Sequence, residues 1–303
     1  MSKILIQCVV VIYKCSLEQS RTLHSLATFC RQQKGLAQQI ALLIYDNSPD
    51  PQVQRLDEWS CGAIQYCHSS ENGGLAAAYN HALTMAQYSG IEWLLLLDQD
   101  SVFDSAFFPA LMAAIASPLP AEICAMVPKV FQDARILSPG FVTRFRKHYV
   151  PATFSGMHRK PIVALNSGAC LRVKNVTAVG GFPREYWLDY LDHIMFYRLQ
   201  AAGGRIWVLD VELQHRLSFQ NMETEMSVNR YRSLLAAEWG YIRESGEGGG
   251  SLVHRFRLMR RALGQVLKHK NNAYAKLSFA AAFGAPMVYG SPSSVKRDLL
   301  GRP

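Results

Sequence analysis

Apolar and polar residues alternate in blocks along the first hundred positions, and the blocks switch period as they go. Ile4 to Ile12 is a near-continuous apolar run rich in Val and Ile, the pattern of a strand buried on both faces. Leu17 to Cys30 turns to helical spacing, with Ser16 placed to cap it. Ile40 to Tyr45 predicts a second strand that ends in the turn Asp46-Asn47-Ser48-Pro49, and Ala63 to Cys67 predicts a short third. Gly73-Gly74 opens an Ala-rich helix, Leu75 to Tyr88, and Trp93 to Leu97 is a fully apolar fourth strand. This alternation predicts a Rossmann-like α/β fold, a mostly parallel sheet with helices on both faces.

Sheets of this kind bind ligands at the carboxyl ends of their strands. That rule gathers three polar clusters: Asp46-Asn47, Glu71-Asn72-Gly73-Gly74 and Asp98-Gln99-Asp100. Beyond them, Phe107 to Ala116 predicts a helix, followed by Pro-rich turns and a basic stretch from Arg144 to His148. A second informative block runs from Ser167-Gly168-Ala169 to Ser218. Gly246 to Ser251 reads as a flexible linker, dividing residues 1–245 from an extension, 246–303.

Composition narrows the class. With 49% hydrophobic residues in 303, the chain can bury a large core and is not disordered. Seven cysteines without a C-x-x-C pair read as reduced core residues of a cytosolic protein, not a zinc site. The apolar start lacks a small-residue cleavage site and is read as a strand, not a signal peptide. No apolar run reaches the roughly 18–20 residues that span a bilayer; Leu277 to Tyr289 is too short and contains Gly284 and Pro286.

The net charge of +9 lies wholly in Ser251 to Pro303, which holds ten Lys/Arg and one acid; the rest of the chain is balanced. There Leu252, Phe256, Met259, Leu263 and Val266 recur at helical spacing, with Arg257, Arg261 and Lys268 on another side. This predicts a basic amphipathic helix lying on an anionic membrane surface, or packed on the rest of the protein or a partner. Nucleic acid is not expected as a partner.

Two carboxylates one residue apart at the end of a buried strand, Asp98 and Asp100, can hold a divalent cation that stabilises charge on a departing phosphate. They can equally be solvated turn residues. Asn72-Gly73-Gly74 admits close approach of a phosphate or sugar, or simply starts a helix. Asp46 can accept from a ribose or base, or form an Asx-turn. Asp189 and Asp192 share a face if their segment is helical; either can be tuned for proton transfer, or the segment is a surface helix packing its aromatics. His215 can ligate metal, contact phosphate or be an ordinary loop histidine.

Taken together these blocks resemble the inverting glycosyltransferases of family 2, with the A-type nucleotide-sugar-binding fold, over Ile4 to about Ser218. The resemblance is strongest to the bacterial rhamnosyltransferase branch. Glu71 to Asn80 resembles its E-N-x-G-x-A-x-A-x-N stretch, and Leu97-Asp98-Gln99-Asp100-Ser101 its L-D-Q-D-S metal motif. Asn166-Ser167-Gly168 is similar to its N-S-G segment, and Gly180-Gly181-Phe182 with Trp187 to Asp192 to its G-x-F and F-I-D-x-V-D. The resemblance implies a catalytic domain over residues 1–245. It implies donor binding by Asp46, Asn72, Gly73, Gly74, Asn80, Asp98, Ser167 and Gly168. It also implies Mg²⁺ or Mn²⁺ on Asp100 with Asp98 and His215, and a general base at Asp192 with Asp189 beside it. Phe196 and Tyr197 are expected to limit hydration at Asp192 and raise its pKa. The implied donor is dTDP-L-rhamnose and the acceptor a cell-surface polysaccharide, such as lipopolysaccharide, or a lipid-linked saccharide. The expected location is cytoplasmic, peripheral to the inner face of the membrane. Leu191 and Ile194 stand where the family often has acids, which leaves another UDP- or dTDP-sugar open as donor. A catalytically silent binding subunit of a glycan-assembly complex is the alternative of a different class.

Overall fold

The computed structural model describes residues 3–52, 61–143, 147–214, 226–268 and 272–284. Its centre is a ten-stranded sheet. Strands β1 (Ile6–Ile12), β2 (Ile40–Asp46), β3 (Ala63–His68) and β4 (Trp93–Asp98) are mutually parallel, with β1 between β2 and β4. Connecting them are α1 (Arg21–Gln32), the short α2 (Lys34–Ala37) and α3 (Gly74–Tyr88). Because side chains alternate along a strand, β1 sends Val9 and Val11 into one apolar layer and Cys8, Val10 and Ile12 into the other. Both layers are covered by helices, which is why the run reads as continuously apolar.

Beyond β4 the chain adds β5 (Val102–Phe103), α4 (Phe107–Ala116), β6 (Ile123–Gln132) and β7 (Arg135–Ser138). Next come the hairpin β8 (Gly140–Val142) and β9 (Lys147–Tyr149), then β10 (Gly156–Met157), β11 (Cys170–Arg172), α5 (Val173–Ala178), α6 (Leu191–Ala201) and β12 (Arg205–Gln214). β11 is antiparallel to β4 and β6, and β12 is parallel to β6, so the sheet is mixed only towards this side.

Two expectations need correction. The first helix starts at Arg21, not Leu17, and its cap is Ser20, whose hydroxyl accepts from the Leu23 amide at 3.2 Å. The Gly246 to Ser251 stretch is not a loose linker. Helix α7 (Val228–Ser245) ends on Gly246 in the left-handed conformation, φ 65°, whose amide reaches the Ile242 carbonyl. A 3₁₀ turn, Glu247–Gly249, follows, and Glu247 accepts from the Tyr241 hydroxyl. The turn leads straight into α8 (Gly250–Lys268), and α9 (Ala273–Ala282) follows.

These last helices share a small core of Tyr231, Leu235, Trp239, Leu258, Tyr274 and Ala281. Helix α8 turns His254, Leu258, Ala262 and Gln265 inward; Leu252, Phe256, Leu263 and Leu267 are 68–87% exposed. No helix of the described residues is long and apolar enough to cross a membrane.

Candidate active site

The sheet order places a switch point between β1 and β4, where ligands bind in such folds. Asp98 closes β4 opposite Val11. The Asp98–Ser101 turn is then pinned by the start of α1. The Ser20 hydroxyl donates to the Gln99 carbonyl (2.8 Å), and Thr22 donates to the Asp98 carbonyl and accepts from the Ser101 amide (2.9 Å). The Gln99 side chain accepts from the Tyr13 amide (2.8 Å). Ser20 and Thr22 escaped the sequence reading, although a Ser and a Thr two residues apart at a helix start are the signal that points to them.

Asn166-Ser167-Gly168 docks against the same strand. Ser167 donates to the Asp98 carboxylate, and the Gly168 amide donates to the Leu96 carbonyl (2.9 Å). The Gly73-Gly74 turn performs a close approach, though to protein: a Cβ on Gly74 would lie 2.2 Å from the Trp187 carbonyl oxygen. The Leu75 amide donates to that oxygen (3.0 Å), and the Trp187 indole donates to the Asn72 carbonyl (2.9 Å). This joins the glycine turn to the Trp187–Asp192 block and delivers both acids to the crevice.

Two residues expected at the donor are engaged elsewhere. Asn80 uses both ends of its amide on Phe182, accepting from its N–H (2.9 Å) and donating to its carbonyl (2.7 Å), so it staples the Gly180-Gly181-Phe182 turn. Asp46 is fully buried; its carboxylate accepts from the Ser48 amide (2.8 Å), the Gln52 amide group (3.0 Å) and the Tyr66 hydroxyl (2.7 Å). It thus forms the Asx-type turn, and a nucleotide would reach it only by displacing Gln52 or Tyr66.

A crevice of about 270 Å³ opens beside Asp98, lined also by Ser167, Asp189, Asp192, His193 and Arg230. Asp192 lies in the first turn of α6, and its Oδ1 accepts from the His193 amide (2.8 Å) and Nδ1 (2.7 Å). Burial alone would push this carboxyl up, but the His193 charge and hydrogen bonds overcome it and hold the pKa below the ordinary value. The expectation of a raised Asp192 is therefore corrected: burial does push the carboxyl up, yet the ion pair outweighs it. Asp189 is the raised acid. Burial dominates over the attraction of Arg230, whose guanidinium lies 3.6 Å from Oδ1. Its Oδ2 is buried without a hydrogen-bond partner among the described residues. Arg230, brought in by α7, was not read from the sequence.

Asp98 and the half-buried Asp100 are oxygen donors of the hard type that suits Mg²⁺ or Mn²⁺. Among the described residues no three or more His, Cys, Asp and Glu side chains are grouped closely enough to hold a metal ion together. His215, the third expected ligand, lies outside the described residues. Gln214 immediately before it pairs with Val102, two residues beyond Asp100.

Glycosyl transferase family 2 is matched by residues 8–168. No curated protein matches the chain. Among solved structures, S. aureus TarS 1-349 in complex with UDP-GlcNAc is similar at 17% identity, over 93% of this chain and 80% of that one, with a TM-score of 0.57. GalNAc-T7 with UDP, GalNAc and Mn²⁺ is similar at 14% identity, over 93% and 55%, TM-score 0.56. The mannosyltransferase PcManGT from Pyrobaculum calidifontis, in complex with GDP-Man and Mn²⁺, is similar at 12%, over 98% and 84%, TM-score 0.53. At these identities the likeness is one of fold, the A-type glycosyltransferase architecture.

Proposed function

The chain belongs to glycosyl transferase family 2, and on that premise we propose that it is a metal-dependent inverting transferase. Its donor on this reading is dTDP-L-rhamnose and its acceptor a cell-surface polysaccharide or lipid-linked saccharide. The observation that carries the reading is one crevice at the β1/β4 switch point walled by Asp98 and Ser167 on one side and by Asp189 and Asp192 on the other. The choice of rhamnose rests on the L-D-Q-D-S and N-S-G segments.

Asp100, with Asp98, would hold the cation, which when bound neutralises charge developing on the departing nucleotide. Ser167 orients the Asp98 carboxylate, while Thr22 and Ser20 keep the turn from shifting under load. Inversion takes a single displacement, so the acceptor hydroxyl must shed its proton as it attacks. Asp192 is assigned as the acceptor of that proton, with His193 beside it to spread the charge. Asp189 is the second reading, favoured by its raised pKa and its unpartnered Oδ2.

The outward stripe of α8 supports a peripheral location on the inner membrane face. Leu252, Phe256, Leu263 and Leu267 form an apolar strip, and the exposed Arg260 lies along its edge. Donor choice is tested by direct competition for turnover between dTDP-L-rhamnose, UDP-glucose and UDP-galactose. The rhamnose donor is expected to win; preference for a UDP-hexose moves the chain to another branch, and no donor hydrolysis at all favours a silent binding subunit.

A further inference from the structure

Tyr190 sits between the two crevice acids with a left-handed backbone, φ 62°. Such a conformation is disfavoured for a bulky side chain and persists where its surroundings over-determine it. Here the surroundings are identifiable. The Tyr190 carbonyl accepts the Ile194 amide (3.0 Å) in the first turn of α6. Its ring lies 4.8 Å from the His193 ring and 5.6 Å from that of Tyr241. Its hydroxyl faces the carboxylate of Glu238 of α7. Glu238 is in turn clamped by Arg261 of α8 through two hydrogen bonds of 2.8 Å, and only 8% of its side chain is exposed. His254 of α8 also faces this carboxylate, at 3.8 Å.

An ion pair whose carboxylate is buried at a helix interface and whose guanidinium is part-exposed is a poor way to gain stability, since apolar residues of similar size serve as well or better. It does fix geometry, and what it fixes here is the one strained residue between Asp189 and Asp192. We propose that Tyr190 is a positioning residue for sugar transfer, held by Glu238 and Arg261, so that α8 is a working part of the acceptor wall. This rests on the reading of the crevice as the transfer site. Released from Glu238, Tyr190 would relax towards an ordinary backbone conformation and shift the two carboxylates relative to each other. The Asp98–Ser101 turn has its own pins in Ser20, Thr22 and Ser167 and would not follow.

The test compares Tyr190→Phe, Arg261→Met and Arg261→Lys in the full chain. Tyr190→Phe and Arg261→Met are each expected to lower kcat by at least about tenfold with donor KM within about twofold, because ground-state donor contacts are untouched. Their double variant should be no slower than the slower single, since both act through one chain of contacts. Arg261→Lys should recover part of the loss. A readout independent of turnover is amide exchange: it should quicken in peptides covering 188–194 of Tyr190→Phe and stay constant over 93–98. This separates the proposal from the assignment of the reaction itself. Should Arg261→Met fail to fold, Tyr190→Phe decides alone, because it removes only a hydroxyl. Wild-type kcat with lowered thermal stability, a change confined to donor KM, or unchanged exchange at 188–194 would each overturn the proposal.

Discussion

The two walls of the crevice are built on different principles. On the donor side, Asp98 stands at the end of a strand whose neighbours on both sides are in register, and the pins on its turn come from Tyr13 just after β1, from the start of α1 and from the Asn166–Gly168 segment. On the acceptor side, Asp189 and Asp192 depend on groups from distant helices, Arg230 and Glu238 of α7 and Arg261 of α8. The first wall is a consequence of sheet topology and tolerates change outside its own loops. The second is an assembly that depends on helices far along the chain. It follows that donor-side changes should act on metal and nucleotide, and acceptor-side changes on the rate of proton transfer.

The largest effect is expected on the donor wall. Asp100→Ala should bring transfer below detection while the thermal midpoint holds, because the residue lies outside the apolar layers. Retained activity would break the division at once.

Next comes the acceptor wall. Asp192→Asn should slow transfer by at least about a hundredfold with donor binding nearly intact, the usual contribution of a positioned base being about 10²–10⁴. Asp189→Asn should be milder. The acid limb of kcat/KM sharpens the assignment: with Asp192 as base it lies below the ordinary aspartate value of 3.8, since His193 holds that carboxyl down. With Asp189 as base it lies above 3.8, since burial pushes that one up. The same pair affects stability. The lowered Asp192 contributes above 3.8, and this is lost as pH falls through its folded value. The raised His193 contributes below 6.5, and this is lost as pH rises through its own folded value. The pair's stabilisation is therefore complete between 3.8 and 6.5.

Where the walls meet, Gly74→Ala should destabilise by about 2 kcal/mol or more, combining a left-handed backbone with a clash against Trp187. Calorimetry checks this, and an unchanged midpoint would mean that the junction yields easily. The smallest effect lies furthest out. Phe256→Glu with Leu263→Glu should weaken binding to anionic vesicles by about tenfold or more while donor hydrolysis persists; unchanged vesicle binding refutes the membrane role of the stripe.

The same contrast explains what the sequence made legible. β1, β2 and β4 were readable almost to the residue because a strand buried on both faces leaves an unbroken apolar run. The α1 start was misplaced because Leu17 is apolar and buried, while the better cap, Ser20, owes its place to Gln99 across the sheet. β6 was not seen because Pro128 interrupts it. The proline is tolerated where β11 pairs only with Ala125 and Met126 and β12 shifts register after Val208. The Gly246–Gly250 turn has the composition of a linker, yet its left-handed glycines at 246, 249 and 250 are what let α7 and α8 fold back on each other. Spacing placed Leu252, Phe256, Leu263 and Val266 on one exposed stripe of α8 but misplaced Met259, which packs on the inner core, and it left open which side packs. The structure turns the side carrying His254, Arg261 and Gln265 inward, because Glu238 and Tyr231 wait there to bind them. Asp46 and Asn80 sit in motif positions, but their partners Tyr66 and Phe182 arrive only through the fold.

The most direct test of the central claim is turnover of dTDP-L-rhamnose by the purified full chain, followed as nucleotide release in excess EDTA and again after addition of Mn²⁺ or Mg²⁺. No release is expected under chelation, with recovery on adding either cation in the wild type but not in Asp100→Ala. Full activity in excess EDTA would contradict the claim.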